Sequence, residues 1–390
     1  QLWPYHQNSE LISLLMLYFV SMEKKQVVFM ALSGGVDSAV SAYLLKKQGY
    51  DVRAVFMKNW TGTTENLAGE CHWTRERDDA KAVARKLKIP FAVWDFEREY
   101  RKLVIDHFFK EYQRGRTPNP DVRCNQYVKI PMFLKRALKE GADHIATGHY
   151  ARVMPPGPQD KYYHLLAGAD QSKDQSYFLY TLKQSQLRHL LFPVGELTKV
   201  KVRALARRAQ LPVAEKPDSQ GICFVGEVNL EEFLLTRIPE KPGNMVTTHG
   251  RVLGQHKGLA FYTIGQRQGL GLANGPWYVV GRSWKKNELI LGTLTEQRLI
   301  MAKQCTVSLT HWIGPHFELP STVLVRHRYR HPAVPAILSR VGRHIRISFK
   351  LAQRAITPGQ SAVFYQPTKL GLRCLGGAVI QKVEKKGFLW

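Results

Sequence analysis

A short glycine-containing loop near the start of the chain must join a buried strand to a helix. The loop is Ser33-Gly34-Gly35-Val36-Asp37-Ser38; it follows the apolar run 27–32 and precedes a helical pattern over 39–45. Two consecutive glycines let backbone N–H groups approach an anion closely. The start of the following helix adds unpaired N–H groups and the positive end of its dipole. The loop therefore predicts a phosphate-binding site on an α/β domain.

The loop lacks the Gly-Lys-Ser/Thr ending of the ordinary phosphate loop. It resembles instead the pyrophosphatase loop of adenylating enzymes, which cut ATP between its α- and β-phosphates. A glycine-rich turn that binds no ligand is the alternative interpretation.

Alternating strands and helices follow this loop. Strands are expected at 52–57, 91–96 and 144–148, with helices between them. This order predicts an α/β fold with a doubly wound parallel sheet, and the loops after residues 32, 57 and 148 should converge at the carboxyl ends of the strands.

The pattern changes at about residue 230 to short strands broken by Gly, Pro and Asn. We expect an ATP-pyrophosphatase domain at 22–229, a small mostly-β domain at 230–297 and a C-terminal β-barrel domain at 298–390. Residues 1–21 contain an apolar stretch of ten residues that is too short to span a bilayer and lacks the features of a signal or transit peptide. We interpret them as upstream sequence or a disordered tail.

The composition indicates a polyanionic partner. Lysine and arginine number 57 against 31 acidic residues, a net charge of +26, and the excess is spread along the chain. Nucleic acid fits this excess best, and a merely solvated basic surface is the alternative. The five cysteines are odd in number and widely spaced, which favours a reducing compartment over a disulfide framework or a zinc site.

A proline-containing segment surrounds one of these cysteines. In the segment 115–125, two prolines stiffen the loop, and Cys124 is expected at the start of a helix that runs to Lys139. A helix N-terminus and the neighbouring Arg123 would both favour the reactive thiolate, and Asp121 could act as a general acid or base. An inert buried cysteine is the alternative.

Other segments supply a second cysteine and polar groups. Cys223 lies 99 positions after Cys124, which suggests a redox or sulfur-transfer pair. Gly148 and His149 follow a strand end, where a nucleotide can bind; a turn with a surface histidine is the alternative. The segments 173–177 and 326–331 offer cations, hydrogen-bonding groups and aromatics to RNA, although a charged strand edge would look similar.

Taken in order, these segments resemble those of the tRNA-specific 2-thiouridylases, the MnmA family, from about Lys25 to about Gln381. The segments that carry the resemblance are 33–38, 56–60, 115–121 with Cys124-Asn125, 146–150, 173–179, 218–224, 262–267 and 358–365. The resemblance implies replacement of the C2 oxygen of the wobble uridine of tRNA by sulfur, at the expense of ATP.

The resemblance also implies roles for individual residues. Those implied to bind ATP are Ala31, Leu32, Ser33, Gly34, Gly35, Val36, Asp37, Ser38, Met57 and Gly148. Those implied to face the target base or contact tRNA are Asn119, Pro120, Asp121, His149, Lys173, Asp174, Gln175, Arg328, Tyr329 and Gln360. Cys223 would carry a persulfide, Cys124 would be its partner nucleophile and Asp121 would assist; no resident metal site is expected.

The implied chemistry is consistent with these residue types. Adenylation would convert the C2 oxygen into part of departing AMP, and Mg²⁺ bound with ATP near Asp37 would neutralise the pyrophosphate. The terminal sulfur of the Cys223 persulfide would attack C2, and Cys124 would cleave the persulfide, either releasing sulfide or forming a disulfide that a thiol reductant restores.

The resemblance further implies the anticodon loop of tRNA, with Lys, Glu or Gln acceptors, as partner, and a persulfide donor such as a cysteine desulfurase or a sulfur-relay protein. We expect a monomer without a membrane segment, in the cytoplasm or alternatively the mitochondrial matrix. One departure is the segment Val128-Lys129-Ile130, where the family usually has an aromatic third residue. Two other functions stay open here: a related synthetase acting on an amide or carboxylate substrate, and a catalytically silent RNA-binding protein.

Overall fold

The computed structural model describes residues 25–61, 72–218, 229–315 and 317–384. The expected tail at 1–21 and the expected persulfide residue Cys223 lie outside these residues. No helix in the described ranges is long and apolar enough to cross a membrane.

The strands, in chain order, are β1 Val27–Ala31, β2 Asp51–Lys58, β3 Phe91–Asp95, β4 His144–Ala146, β5 Ala151–Met154, β6 His164–Ala167, β7 Leu190–Leu191, β8 Gly243–Thr247, β9 Val252–His256, β10 Tyr278–Ser283, β11 Glu288–Gly292, β12 Met301–Trp312, β13 Ser321–Arg326, β14 Val334–Val341, β15 His344–Arg354, β16 Ser361–Thr368 and β17 Gly371–Glu384. The α-helices are α1 Val36–Lys47, α2 His72–Leu87, α3 Glu97–Tyr100, α4 Asp106–Gln113, α5 Pro120–Cys124, α6 Pro131–Lys139, α7 Gln184–Leu187, α8 Lys199–Arg208 and α9 Leu230–Leu235. Single π-helical segments join α3 to α4 (Arg101–Ile105) and α5 to α6 (Asn125–Lys129), and 3₁₀ turns lie at Ser176–Phe178, Leu259–Phe261 and Thr295–Ile300.

The first sheet has five parallel strands in the order β3-β2-β1-β4-β7. Its central strand β1 is buried throughout. Phe29 packs into one apolar cluster, whereas its neighbours Val28 and Met30 pack into another. Because successive side chains of a strand point to opposite faces, the two clusters lie on opposite sides of the sheet. The predicted doubly wound α/β domain is confirmed.

The strand order places the loop 33–38 at a topological switch point. Strands β2 and β4 flank β1 on opposite sides, so the loops that follow β1 and β4 border one crevice. Gly148 lies so close to the loop that a Cβ atom there would stand 2.7 Å from the backbone nitrogen of Ser38. The expected convergence of these two loops is therefore observed.

Two β structures follow, as the sequence predicts. Strands β10-β11-β8-β9 form a four-stranded sheet, and strands β12-β15-β14-β13-β16-β17 close into a barrel through pairing of β12 with β17. The sequence did not reveal that the hairpin β5–β6 joins the barrel sheet through antiparallel pairing of β6 with β17. The first domain thus contributes strands to the sheet of the last one.

Closure of the barrel depends on a close backbone approach at Gly376. Its φ is +140°, and a Cβ there would stand 2.0 Å from the carbonyl oxygen of His311 on β12. We expect Gly376→Ala to reduce the free energy of unfolding by about 2 kcal/mol or more, because a side chain is both strained and obstructed there. Chemical denaturation monitored by circular dichroism measures this loss.

The matched control is Gly342→Ala, which also has a positive φ, +57°, but has no heavy atom within 4 Å of the new Cβ. The Gly342→Ala variant has the backbone strain without the steric clash. We therefore expect its free energy of unfolding to fall by less than that of Gly376→Ala. Equal losses in the two variants would contradict the steric explanation.

Candidate active site

The loop 33–38 is shaped by its own serines. The Ser38 hydroxyl accepts a hydrogen bond from the backbone nitrogen of Ser33 at 3.2 Å and donates to the carbonyl of Gly35 at 2.9 Å. Gly34 has φ +78°, and a Cβ there would stand 2.3 Å from the carbonyl oxygen of Glu76 on α2. The glycine is therefore required by backbone conformation and by contact. Four other residues expected to bind ATP are buried: Ala31, Leu32, Val36 and Met57.

Asp37 is the acidic residue of this loop, and both its carboxylate oxygens are engaged. Lys199, the first residue of α8, places its Nζ 2.7 Å from Oδ1 and 2.9 Å from Oδ2. The Tyr150 hydroxyl donates to Oδ1 at 2.8 Å. Burial and the neighbouring Asp37 carboxylate raise the pKa of Tyr150, so this hydroxyl keeps its proton.

Lys199 also joins the loop to Asp218, whose Oδ1 lies 2.8 Å from the same Nζ. Lys173 contacts the other Asp218 oxygen at 2.8 Å, and Arg203 donates to Oδ1 at 2.7 Å. Burial acts to raise the pKa of Asp218, but the hydrogen bonds and charges of Lys173 and Lys199 hold it well below its usual range. Asp218 is therefore ionised at neutral pH.

Lys216 supports the loop from the other side. Its Nζ donates to the carbonyl of Gly34 at 3.2 Å and pairs with Glu76 at 2.8 Å and Asp79 at 2.6 Å, both on α2. The loop is thus surrounded by cations that internal carboxylates balance. Added phosphates must compete with those carboxylates for the lysines.

The segment 115–118 is held by contacts from the barrel and from the central four-stranded sheet. Gln360 donates to the carbonyls of Thr117 at 3.0 Å and Pro118 at 3.2 Å, and the Thr117 backbone nitrogen donates to the carbonyl of Pro358 at 3.0 Å. From the central sheet, Arg282 donates to the carbonyl of Gly115 at 2.7 Å. Gln360, which was expected to contact tRNA, thus positions this segment in the structure.

The helix around Cys124 differs from the sequence-based expectation. Helix α5 begins at Pro120, with Asn119 as its N-cap; the Asn119 side chain accepts from the Val122 backbone nitrogen at 3.1 Å. Helical backbone continues from α5 into Asn125–Lys129, so Cys124 lies about one turn inside the helix, and the expectation of a helix N-terminus at this thiol is wrong. The Asn-Pro pair is itself an N-cap followed by a favoured first-turn residue, and this signal marks the true start.

Cys124 is buried, with 1% of its surface exposed. Burial raises the pKa of its thiol to about 12; Asp121 adds to the rise, and Lys129 opposes it. The Arg123 guanidinium lies 4.6 Å from the centre of the Tyr127 ring and donates to the carbonyl of Leu103. In this state Cys124 is a neutral thiol, so the expected activation by Arg123 and by a helix start is absent.

His149 lies inside the protein rather than on its surface, with 5% exposure. Lys129 lies 3.2 Å from its Nε2, and the Thr147 hydroxyl lies 2.7 Å from its Nδ1. Because an ammonium can only donate, Nε2 accepts and Nδ1 carries the proton. Burial and the Lys129 charge lower the pKa of His149 well below its usual value, so the ring is neutral.

Asp174 is also internal. It forms a buried ion pair with Arg326 of the barrel and accepts from the backbone nitrogens of Gly168 and Ser176, both at 3.0 Å. Its carboxylate holds the segment 173–178 against the barrel. The structure therefore offers no direct surface contact for this expected tRNA-binding residue.

The remaining expected tRNA-binding residues are partly buried and linked to the two loops. Gln175 accepts from the Tyr150 backbone nitrogen at 2.9 Å, which ties it to the Asp37 network. Tyr329 packs against Phe178, with ring centres 4.4 Å apart, and Asn125 donates to the carbonyl of Phe178 at 3.3 Å. The others in this group are Lys173, Arg328, Asn119, Pro120 and Asp121.

These contacts form a continuous connection from the phosphate loop to Asn125, the residue that follows Cys124. Sequence reasoning assigned no role to Tyr150 in this connection, or to Lys199 and Arg203, which bind Asp218 beside it. A basic helix start capped by Thr198 was the available signal for Lys199. Its partner Asp37 is 162 positions away, so the pairing required the structure.

No group of three or more His, Cys, Asp and Glu residues suited to a metal ion occurs among the described residues. Asp37 could still supply the single carboxylate that Mg²⁺ commonly takes from a protein when phosphates provide other ligands. Lys199 would have to yield for this to happen.

Fold and site together define an ATP-pyrophosphatase-type α/β domain whose phosphate loop is linked by hydrogen bonds to the helix that contains Cys124, followed by two β domains. Three family models match the chain in order: a tRNA methyl transferase HUP domain over 26–227, a tRNA methyl transferase PRC-barrel domain over 231–293 and an aminomethyltransferase beta-barrel domain over 302–380.

Two curated relatives are the tRNA-specific 2-thiouridylases MnmA of Streptococcus thermophilus strain CNRZ 1066 and Streptococcus sanguinis strain SK36. The first is 45% identical over 93% of this chain and 97% of the relative, and the second is 45% identical over 94% and 98%. A solved 4-thiouridine synthetase–RNA complex with bound ATP covers 52% of this chain and 46% of that chain at 17% identity, with a TM-score of 0.34. The chain belongs to the tRNA-specific 2-thiouridylase family, MnmA.

The burial of Cys124 predicts slow alkylation of the free protein. A pKa of about 12 leaves the thiol neutral at pH 7.5, and alkylation should accelerate as pH rises toward that value. We expect iodoacetamide to modify Cys124 at least about 100-fold more slowly in the folded protein than in urea, measured by mass spectrometry of its tryptic peptide. Equal rates in the folded and unfolded protein would contradict the buried, neutral state.

Removal of the Lys199 ammonium should disturb the phosphate loop. Asp37 and Asp218 share this cation, so in Lys199→Met two carboxylates would face each other without it. We expect ATP-dependent AMP formation to fall at least about 10-fold, or about 1.4 kcal/mol in the barrier.

The matched control is Lys201→Met, on the exposed side of the same helix. It removes the same charge from α8 and should leave AMP formation within about twofold. A similar loss of AMP formation in both variants would show that the activity depends on the overall charge of α8 and not on the position of Lys199.

Proposed function

We propose that this protein is an ATP-dependent tRNA 2-thiouridylase that replaces the C2 oxygen of the wobble uridine with sulfur. The observation that carries the proposal is the connection between the phosphate loop and the Cys124 helix, which runs through Tyr150 and Gln175 to the segment 175–178. Such a connection suits an enzyme that must activate a substrate at one group and cleave a persulfide at another.

ATP is proposed to bind in the crevice between β1 and β4. Backbone N–H groups at the start of α1 would hold its phosphates, and Gly148 allows the opposite wall to approach. Lys199 and Lys216 are the cations able to turn from internal carboxylates toward the phosphates. Mg²⁺ arriving with ATP would neutralise the pyrophosphate, with Asp37 as its protein ligand.

The uridine C2 oxygen attacks the α-phosphate, which forms an O–P bond and releases pyrophosphate. The terminal sulfur of a Cys223 persulfide then forms a bond to C2, and AMP leaves with the oxygen. Attack by Cys124 on the inner sulfur breaks the S–S bond, giving the 2-thio group and a Cys124–Cys223 disulfide; a dithiol reductant restores both thiols. The alternative outcome, release of sulfide that then attacks C2, uses the same two cysteines.

Cys124 must become ionised for this step. Its pKa has to fall from about 12, and Lys129 is the cation that already acts in this direction. Asp121 lies on the first turn of the same helix as Cys124, where it could exchange a proton with the base or the thiol.

The substrate is proposed to be the anticodon loop of tRNA with Lys, Glu or Gln acceptors. Asn119, Pro120 and Asp121 would face the target base, while Lys173, Arg328 and Tyr329 would contact the surrounding RNA. The net charge of +26 supports a polyanionic substrate. The burial of His149 and Asp174 favours supporting roles for these two expected tRNA-binding residues.

The protein is further proposed to act as a monomer that takes sulfur from a persulfide donor such as a cysteine desulfurase or a sulfur-relay protein. Its proposed domains are 22–229, 230–297 and 298–390; the separate parallel sheet, four-stranded sheet and barrel support this division. The hairpin β5–β6 is the part of the first domain that crosses to the barrel sheet.

The proposal predicts ATP-dependent formation of 2-thiouridine that requires both cysteines. Purified protein is incubated with unmodified tRNA, ATP, Mg²⁺ and a sulfide or persulfide source, and wobble nucleosides are measured by mass spectrometry. We expect Cys124→Ser and Cys223→Ser to lose at least about 100-fold of the product, because oxygen cannot replace sulfur in persulfide chemistry.

The control variant is Cys305→Ala, a change at a buried barrel cysteine outside the proposed site. It should retain product formation once its folded fraction is matched. Full activity in either serine variant would reject the two-cysteine mechanism, and absence of AMP formation with tRNA in the wild-type protein would reject the activity itself.

A further inference from the structure

A tryptophan in the central domain lies against the segment proposed to present the target base. Trp284 occupies the turn between β10 and β11, and it is 49% exposed, whereas the other described tryptophans are buried or half-buried. Its ring packs on Gly115: a Cβ at Gly115 would stand 2.2 Å from a ring carbon of Trp284. This close contact, together with a φ of +68°, requires glycine at position 115.

The Trp284 ring is held in place by Arg282. The Arg282 guanidinium lies 5.7 Å from the ring centre, and the same group donates to the carbonyls of Gly115 at 2.7 Å and Tyr262 at 3.1 Å. Arg282 is itself buried. The indole is therefore anchored to the segment 115–118 and presents its remaining surface to solvent.

Cationic residues lie next to Trp284 and Gly115 along the chain; one of them, Arg114, also pairs with Glu111 at 3.5 Å. Lys285 and Lys286 follow Trp284 in the same turn and are exposed, and Arg114 precedes Gly115 with 60% of its side chain exposed. An aromatic ring flanked by cations is the combination that binds single-stranded nucleic acid, since bases stack on the ring and phosphates contact the cations. An acidic protein could pair with the cations, but unlike a nucleic acid it has no bases to stack on the exposed ring.

The position suits the same RNA loop that carries the target base. Asn119 follows Gly115 by only a few positions in the chain, so their backbones are at most about 14 Å apart. We propose that Trp284, with Lys285 and Lys286, forms a stacking site for an unpaired nucleotide near the wobble uridine. This inference rests on the proposed tRNA activity and adds a contact from the central domain to it.

The test measures binding of a fluorescent anticodon stem-loop RNA to the full-length protein by anisotropy. We expect Trp284→Leu, which keeps an apolar side chain over Gly115, to raise Kd roughly 5- to 150-fold, the loss that corresponds to one stacked base. Trp284→Phe retains an aromatic face and should stay within about fivefold of the wild type. Leu294→Ala is the control, because it removes an exposed apolar side chain beyond the other end of β11.

A second set of RNAs identifies the stacked nucleotide. Each loop position is replaced in turn by an abasic residue, and Trp284→Leu should have no further effect on the RNA that lacks the stacked base. Lys285→Gln with Lys286→Gln should lower the slope of log Kd against log salt by about 0.7 for each phosphate that these lysines neutralise in the wild-type complex.

Outcomes that overturn the inference are distinct from failure of the proposed function. An unchanged Kd in Trp284→Leu, or a loss equal to that of Leu294→Ala, rejects the stacking site while tRNA thiolation stands. Unchanged RNA binding with slower sulfur delivery from a donor protein would assign this surface to protein instead of RNA. If the wild-type protein does not bind the RNA at all, the proposed function fails together with the site.

Discussion

The arrangement of the whole site depends on the hold that the two β domains have on the segment 115–118. Gln360 and Pro358 of the barrel bind Thr117 and Pro118, and Arg282 of the central domain binds Gly115. Each contact joins a side chain or backbone group of one domain to the backbone of another. The helix that contains Cys124 starts at Pro120, two residues after this segment. The orientation of that helix is therefore set by the two β domains, which do not contain the phosphate loop.

Electrostatic balance is the second constraint. Lys199 pairs with Asp37 and Asp218, and Lys216 pairs with Glu76 and Asp79. A triphosphate must displace some of these internal pairs, so the net free energy of binding is smaller than the attraction between the lysines and the phosphates alone. Nucleotide binding is therefore expected to change the contacts of Asp218. Lys199 cannot pair fully with the phosphates, Asp37 and Asp218 at the same time.

The sequence was sufficient for the features that depend on local pattern. The run 27–32 and the loop 33–38 predicted β1, the start of α1 and the phosphate site. The short strands after about residue 230 predicted the barrel. Sequence-based prediction failed where burial or distant pairing decides. It expected an activated Cys124, but the pKa of a thiol depends on the packing of side chains from several elements, and here burial outweighs the nearby Lys129. It also missed Lys199, since nothing in a basic helix start identifies an aspartate 162 residues earlier as its partner.

The hairpin β5–β6 has a consequence for any attempt to divide this chain. Residues 151–167 leave the parallel-sheet domain, and β6 pairs with β17 of the barrel. A fragment that ends before the barrel would present the unpaired N–H and C=O groups of β6 to solvent, beside the buried side chains of Leu165 and Leu166. Such an exposed apolar edge recruits strands from other molecules. The nucleotide-binding half is therefore expected to self-associate when produced alone, which makes the barrel an internal protection against aggregation as well as a neighbour of the site.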